Sequence, residues 1–201
     1  MKVFFIKVGK NIWAYLICIF AFIIIWSSVF GFLTRVSPQD KVSVFIGSYS
    51  QSFEKAQELK ESRPEYLKTV EVNAKVLNSM YFDVYLSMFG YSRADIMILP
   101  ESLATLENCE LYFAEISATY LGQFENLGLC EYDGKVYGLK IHDKETHSSL
   151  ISCINYGEGD KEDNYYLFFG KNSLHISDLA EAENKNEWDG AIKIAQKMLK
   201  L

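Results

Sequence analysis

The sequence predicts an α/β domain, built on a mostly parallel sheet with helices on both faces and preceded by one transmembrane helix. Three short β-like runs, at 41–48, 69–77 and 94–100, are separated by helical links of roughly 15 residues. This β-α-β-α-β order implies right-handed crossovers and parallel neighbouring strands. A long uncharged stretch near the N-terminus supplies the transmembrane prediction.

The uncharged stretch reads NIWAYLICIFAFIIIWSSVFGFLT, between Lys10 and Arg35. A helix of roughly 20 apolar residues crosses the hydrocarbon core of a bilayer, so we predict a transmembrane anchor over 12–33. Trp13 and Trp26 are suited to the two interfaces. The alternative is a secretory signal peptide, but its apolar region is usually only roughly 7–15 residues long. We therefore favour an uncleaved anchor.

The charges that flank this stretch predict its orientation. Positively charged flanks stay inside, so we expect residues 1–11 to be cytoplasmic, 34–40 to be a linker, and 36–201 to lie outside the plasma membrane. Four of the 20 basic residues (Lys2, Lys7, Lys10 and Arg35) precede position 36, whereas all 26 acidic residues follow it, which leaves the outer part with a net charge of −10. Such a charge argues against nucleic acid and anionic lipid surfaces as partners.

The first half of the outer part, from residue 41, contains three predicted strands. KVSVFIGS (41–48) becomes continuously apolar, and TVEVNAKVL (69–77) alternates, so the latter belongs at a sheet edge or in an antiparallel pair. ADIMILP (94–100) is a short apolar strand stopped by proline, as in a central parallel strand. Two helices are predicted between them, one over SYSQSFEKAQELKESRP and a buried one over SMYFDVYLSMFG (79–90).

The second half is organised around EYDGKVYGLKI (131–141), in which Asp133-Gly134 predicts a hairpin with a type I′ turn. Short helices are expected near 102–107 and 119–126. Strands are expected at SSLISCINY (148–156) and NYYLFFG (164–170), with GEGDKED as an acidic turn between them. A terminal helix capped by Asn186 ends the chain.

The series VFIGS, VEVNAKVL, RADIMILPESLATLE and GLCEYDGKVYGLKI resembles the first lobe of the extracellular solute-binding proteins of ABC importers. The resemblance covers about residues 41–141 and 164–201. In that family a large second lobe follows the hairpin, whereas here only about 22 residues, 142–163, separate it from NYYLFFG. The resemblance thus implies a periplasmic-binding-protein-like single lobe without the partner that encloses a ligand by hinge closure.

The resemblance implies that this outer domain, 41–201, recognises a solute or assists an ABC-type transporter. An open α/β sheet has its crevice at the carboxyl ends of the strands, which gives seven candidate ligand-binding residues: Gly47, Ser48, Tyr49, Ser50, Pro100, Glu101 and Ser102. The helix that follows the first strand could also receive an anion at its N-terminus. The structural alternative is that Ser50 and Ser52 only cap this helix and Gly47 only makes the turn.

No motif for catalysis or for a cofactor is present, so we predict no enzymatic activity, cofactor or metal. His142 and His147 lack a metal-ligand spacing and are expected to be exposed loop residues. Cys109 and Cys130 could pair across a loop, but unpaired buried thiols at these positions and at Cys153 are the alternative.

The partners that the sequence predicts are the lipid bilayer, through 12–33, and either a transporter permease or a second copy of the chain. A rival function is a non-catalytic, membrane-tethered interaction module that binds no small molecule, since fold does not imply function. A hydrolase of envelope material is the third class considered.

Overall fold

The structure, a computed structural model, describes residues 12–33, 36–50, 63–124, 126–152, 154–158, 161–176 and 189–199. The chain divides into two units, Met1–Ser37 and Pro38–Leu201. In the first unit, helix α1 (Ile12–Leu33) has 22 residues and is long and apolar enough to cross a membrane. Its length of about 33 Å matches a bilayer core. A signal sequence passes the same test of length and composition.

The second unit consists of nine strands and four helices among the described residues. The strands are β1 (Lys41–Ser48), β2 (Thr69–Val76), β3 (Ile96–Pro100), β4 (Leu129–Tyr132), β5 (Lys135–Asp143), β6 (Ser148–Ser149), β7 (Gly157–Glu158), β8 (Lys161–Glu162) and β9 (Tyr165–Phe169). The helices are α2 (Phe82–Tyr85), which continues as a π-helical turn over Leu86–Tyr91, α3 (Leu106–Tyr112), α4 (Ala118–Leu121) and α5 (Gly190–Met198). Short 3-10 turns occupy Pro38–Asp40 and Glu101–Leu103.

Seven strands form one mixed sheet in the order β2-β1-β3-β9-β5-β4, with β6 paired to β5. The α/β class is confirmed, and β1 is parallel to both β2 and β3 as predicted. The parallel order does not extend further, because β3–β9, β9–β5, β5–β4 and β5–β6 are all antiparallel. Strand β9 returns between β3 and β5, next to a hairpin whose strands are necessarily antiparallel.

The helices cover both faces of the sheet, as predicted, because successive residues of a strand point to opposite faces. On one face Val44 and Ile98 belong to an apolar cluster that includes Ile192 of α5. On the other face Phe45 and Met97 belong to a cluster that includes residues of α2 and α3. Strand β2 lies at the sheet edge, which confirms its predicted position. Only one of its residues is buried, and the other seven are half-buried on both faces.

The β4–β5 hairpin has the turn that Asp-Gly predicts. Asp133 and Gly134 both have positive φ, 52° and 74°, as a type I′ turn requires. Four residues later, Gly138 faces the ring of Phe168 on β9: a Cβ at this position would lie 2.6 Å from the ring. The glycine therefore permits the close approach of β5 and β9.

Asp95 fastens the start of β3 to two distant segments. Its Oδ2 accepts a hydrogen bond of 2.7 Å from Ser43 N, and its Oδ1 accepts one of 2.6 Å from Ser173 Oγ. The main-chain carbonyl of Asp95 accepts a further bond from Gly170 N. Burial raises the pKa of the Asp95 carboxyl above its ordinary value.

Several predicted elements differ from the observed ones. Of the strand expected at 148–156, the described residues form only β6, because Ile151, Ile154 and Tyr156 pack into the apolar cluster as irregular chain. The acidic turn carries a small hairpin of β7 and β8. The short helices lie at α3 and α4, and the helix predicted at 79–90 begins at Phe82. The predicted helix at 51–62 and the start of the terminal helix at Asn186 lie outside the described residues.

Candidate functional site

The parallel pairing of β1 and β3 brings their carboxyl ends to one edge of the sheet. Ile46 of β1 lies beside Ile98 of β3, so the chain leaves both strands two residues later at the same edge. The seven predicted ligand-binding residues all lie in or directly after these strand ends. The prediction thus names one region of the structure rather than two separate loops.

Three of the predicted residues are buried and shape the backbone at this edge. A Cβ at Gly47 would lie 3.0 Å from the ring of Phe82, so the glycine makes room for α2. The hydroxyl of Ser48 donates a bond of 2.6 Å to the carbonyl of Ser50. Pro100 is buried at the end of β3. These three residues are positioned for structure, and their side chains have little surface for a solute.

The other four predicted residues are accessible. Tyr49 and Ser50 are half-buried after β1, and Glu101 and Ser102 are exposed after β3. They form two short polar loops at the carboxyl edge.

The segment between β5 and β9 packs across both loops. Tyr49 N donates a bond of 3.2 Å to the carbonyl of Asn155. Glu101 N donates one of 2.8 Å to the carbonyl of Asn164, whose amide donates back to Glu101 Oε2 over 2.8 Å. The sequence did not indicate the two asparagines, because nothing local to them shows that they reach β1 and β3.

An aromatic group lies behind these loops. Tyr156 stacks on His142 with ring centroids 4.1 Å apart and meets Tyr165 edge-on at 5.0 Å. The side chain of Tyr165 is fully buried, and its hydroxyl has no hydrogen-bond partner among the residues that the structure describes. Burial raises the pKa of Tyr165 well above its ordinary value, so this hydroxyl is neutral and able to donate or accept a bond.

The electrostatics of the edge are acidic. Burial raises the pKa of Tyr49, and the neighbouring charges of Asp163 and Glu158 raise it further. The carboxylate of Glu158 also accepts a hydrogen bond from the side chain of Asn78. With Glu101 beside them, these acids disfavour an anion and suit a neutral polar or cationic solute.

A groove of about 260 Å³ lies elsewhere in the fold, beside β5 and β6. Lys140 Nζ meets Asp143 Oδ2 at 3.1 Å in its lining, and this hydrogen bond lowers the pKa of Asp143. Neither Lys140 nor Asp143 belongs to a sequence motif that indicates a site. The groove is lined by Asn126, Leu127, Gly128, Lys140, Ile141, His142, Asp143, Ser148 and Leu150.

The sequence predicted exposed positions for both His142, on β5, and His147, in the turn that follows. This prediction is wrong for His142. His142 is only 3% exposed. His142 Nε2 lies 2.8 Å from Glu162 Oε1, and His147 Nδ1 lies 2.5 Å from Glu162 Oε2. His147 can reach this carboxylate because it sits in a turn with positive φ, where strand alternation does not apply. In the described ranges no three histidine, cysteine or acidic residues are arranged to hold a metal.

Comparisons with known proteins give one distant likeness. No protein family matches the sequence, and no curated protein matches it significantly. Among solved structures, the fold is similar to an ABC substrate-binding protein from Listeria monocytogenes, determined in complex with cycloalternan, with a TM-score of 0.35 and 16% identity. The match covers 51% of this chain and 29% of that one. The likeness is therefore a weak one to part of a solute-binding fold.

Proposed function

We propose that the chain is a membrane-anchored extracytoplasmic domain, similar to one lobe of a solute-binding protein, that recognises a small solute at the carboxyl edge of its sheet. The observation that carries the proposal is the meeting of Tyr49, Glu101 and Asn164 at that edge, next to the buried hydroxyl of Tyr165. The hydroxyl of Tyr165 is shielded from solvent, so the accessible groups that we propose contact the solute are Tyr49 and Glu101.

The chemistry of these groups favours a neutral polar or cationic solute. Tyrosine rings offer apolar faces with a polar tip, and Glu101, Asp163 and Glu158 add acceptor oxygens. A single lobe contacts a solute from one side only, and ligand sites usually bury most of the ligand surface. We therefore propose weak binding, in which the solute is presented to a membrane transporter rather than stored.

The N-terminal helix supports a role beside the bilayer. Three lysines precede α1, whereas Arg35 and Lys41 flank Asp40 after it, so the positive-inside rule favours an N-terminus in the cytoplasm. An anchored domain has a high effective concentration toward any partner in the same membrane. An ABC-type permease is the partner that this arrangement suits.

A second candidate function, an interaction module without a small-molecule ligand, is favoured by an apolar stripe near α2. Met80, Val84 and Met88 recur every four residues and are 88%, 52% and 52% exposed. Contiguous exposed apolar patches are typical of protein–protein and membrane contacts. A permease or a second copy of the chain would cover this stripe.

Thermal unfolding of the full chain in detergent tests solute recognition. A panel of neutral sugars, amino acids, cationic amines and carboxylates is added well above millimolar concentration. A solute at 100 times its Kd stabilises the folded state by about 2.7 kcal/mol, a rise in Tm of about 5 °C or more. We expect a rise with a neutral or cationic solute and none with the carboxylates.

Matched variants then locate the site. Tyr49→Phe and Glu101→Gln should reduce the rise in Tm at least by half, whereas Tyr81→Phe and Glu107→Gln, at exposed positions on other elements, should leave it intact. An unchanged rise in the first pair would place the solute elsewhere. If no solute raises Tm while a membrane protein co-purifies, the interaction module is the function.

A further inference from the structure

One side of β2 is an open edge of the sheet. Strand β2 has eight residues and pairs with β1 along its whole length without a shift of register. It ends the strand order of the sheet, and its other side has no strand partner among the residues that the structure describes. Such an edge presents a row of main-chain donors and acceptors on which a further strand can pair.

The two ends of the sheet differ in how well they are protected from such pairing. Proteins protect edge strands by making them short, or with prolines and bulges. Strand β4, at the opposite end of the strand order, has four residues and a bulge between Cys130 and Glu131. Strand β2 has neither a proline nor a bulge. Its two charged residues, Glu71 and Lys75, have opposite signs, so they do not repel every partner strand.

The main-chain geometry of β2 shows which of its residues can pair outward. Leu77 N donates a bond of 2.9 Å to the carbonyl of Ser48 at the end of β1. The main-chain groups of successive residues point alternately to the two sides of a strand, so those of Asn73 also point to β1. Those of Val72 and Ala74 point to the open edge and are the ones that a further strand would meet.

This edge is complementary to itself in one antiparallel register. When Asn73 lies opposite Asn73 of a second copy, Glu71 lies opposite Lys75 in both directions, and Val72 lies opposite Ala74. Opposite charges across an antiparallel pair stabilise it, and like charges destabilise it. Centring the pair on Glu71 or Lys75 would oppose like charges, and centring it on Val72 or Ala74 would leave both charges without an opposite charge.

The charged side chains of β2 are already held at its surface. Glu71 Oε2 lies 2.7 Å from Lys41 Nζ, and Asn73 Nδ2 donates a bond of 3.1 Å to Glu71 Oε1. These two hydrogen bonds lower the pKa of Glu71. Lys75 Nζ lies 4.3 Å from the centre of the Tyr85 ring. Side chains that are ordered before association lose little conformational entropy when they pair.

We propose that β2 pairs with β2 of a second copy of this chain, antiparallel and centred on Asn73, so that the two sheets become one continuous sheet. Val72 and Ala74 exchange main-chain hydrogen bonds with the second copy, and Glu71 forms an ion pair with Lys75 of the second copy. The interface is isologous, because the same surface is used by both copies. This proposal is independent of the solute-binding proposal, whose residues lie at the carboxyl ends of β1 and β3.

Cysteine cross-linking of the full chain tests the register, and the native cysteines determine its design. Cys109 and Cys130 are buried free thiols, which is the alternative to a bridge that the sequence left open, and Cys18 on α1 is exposed. Cys153 lies outside the described residues. The variants therefore carry Cys18→Ser, and every disulfide is assigned by peptide mapping.

Asn73→Cys in detergent with a mild oxidant should give a dimer joined through the introduced cysteine. Opposite residues of a non-hydrogen-bonded antiparallel pair have Cα atoms about 4.5 Å apart, within the range of a disulfide. Thr69→Cys, on the same face of β2, is the matched control, because in this register its two copies lie about 27 Å apart. Equal yields of dimer from the two variants, or no dimer from Asn73→Cys, would overturn the proposal.

Charge exchange tests the same interface without a cross-link. Glu71→Lys and Lys75→Glu each oppose like charges at two places in the dimer, so each should raise the Kd of the dimer at least about tenfold. The double variant restores opposite charges and should return the Kd to within about threefold of the wild type. Lys41→Gln removes only the partner of Glu71 within the chain, and it should leave the Kd within the same range.

Sedimentation of the full chain in detergent measures the Kd, and thermal unfolding identifies any variant that does not fold. A wild type that remains monomeric at every concentration, or single variants that dimerise like the wild type, would contradict the pairing of β2. A folded double variant that remains monomeric would contradict the pairing of Glu71 with Lys75. The comparison of Asn73→Cys with Thr69→Cys holds even where a charge variant folds poorly.

Discussion

At the scale of single residues, Asp95 connects segments that are far apart in the chain. Its two carboxylate oxygens accept bonds from Ser43 N and Ser173 Oγ, and the same Ser173 hydroxyl accepts a bond of 3.1 Å from His175 N. The carboxyl thus joins β1 and the chain after β9 to the residue that directly precedes β3. Its pKa is raised by burial although these donors oppose the rise.

We expect Asp95→Asn to lower the free energy of unfolding by about 1–3 kcal/mol. One of the two oxygens that accept from Ser43 N and Ser173 Oγ becomes an NH2 group, which cannot accept. The loss should become larger as pH falls. The raised pKa means that folded chains bind this proton more tightly than unfolded ones, so the wild type gains stability from the raised pKa down to the ordinary value of 3.8. Denaturant unfolding of both proteins across this range measures the difference.

Asp143→Asn is the matched control, for which the stability difference from the wild type has the opposite pH dependence. Its half-buried carboxyl has a pKa lowered by the hydrogen bond from Lys140. Stability from this group is present above 3.8 and is lost as pH falls through the lowered pKa, so the difference between wild type and Asp143→Asn should shrink in acid. A loss from Asp95→Asn that is independent of pH would contradict the burial argument.

At the scale of elements, Glu162 of β8 fastens the chain between β5 and β9 to the sheet. Its carboxylate oxygens lie 2.8 Å from His142 Nε2 and 2.5 Å from His147 Nδ1. The main-chain bonds from Tyr49 to Asn155 and from Glu101 to Asn164 hold other points of the same segment. The carboxylate is therefore one of several attachments, and its loss should loosen the segment without unfolding the sheet.

Glu162→Gln should raise the amide hydrogen-exchange rates of residues 144–163 by about fivefold, because it weakens the hydrogen bond to His147 and the close contact with His142. Together these contacts are worth on the order of 1 kcal/mol. Exchange in β1 and β3 should not change. Exchange mapped by mass spectrometry measures both regions. Glu145→Gln, an exposed position in the same segment, should have no effect, and equal effects of the two variants would show that the contact is unimportant.

The elements that the sequence predicted are those encoded by local pattern. Strands β1 and β3 are continuous apolar runs, and β2 alternates between apolar and polar residues. The Asp133-Gly134 pair predicts the type I′ turn that the structure has. The position of β9 in the sheet is not encoded by local pattern, because YYLFF is buried on both faces. A run of this kind fits any central position in either direction, so its antiparallel insertion between β3 and β5 depends on tertiary packing.

The candidate site, too, was only partly predictable from the sequence. The ends of β1 and β3 were predictable, because a parallel arrangement brings them to one edge. The accessibility of the individual residues was not predictable, because it depends on the packing of Gly47 against Phe82 and on the hydrogen bond of Ser48 within its own loop. The partners Asn164 and Tyr165 come from a segment that local sequence does not place at that edge.

At the scale of the whole molecule, the second unit has helices on both faces of its sheet and a short segment, not a second lobe, across its carboxyl edge. Hinge closure around a ligand requires two bodies, and the described part of the unit is one. Recognition at this edge would therefore be reversible contact with an open surface. Under the proposed function, such a site is useful only near a fixed partner in the membrane. The proposal therefore depends on whether α1 is an anchor and on its orientation.

The orientation can be tested with the full chain carrying an N-terminal tag. We expect a protease added to right-side-out membrane vesicles to remove residues 36–201 and spare the tag, with the reverse in inside-out vesicles, because Lys2, Lys7 and Lys10 favour the cytoplasmic side. Replacing these lysines by glutamine should produce a mixture of orientations. Loss of the tag from the membrane fraction before proteolysis would identify α1 as a cleaved signal sequence, and protection of 36–201 in right-side-out vesicles would contradict the extracytoplasmic location.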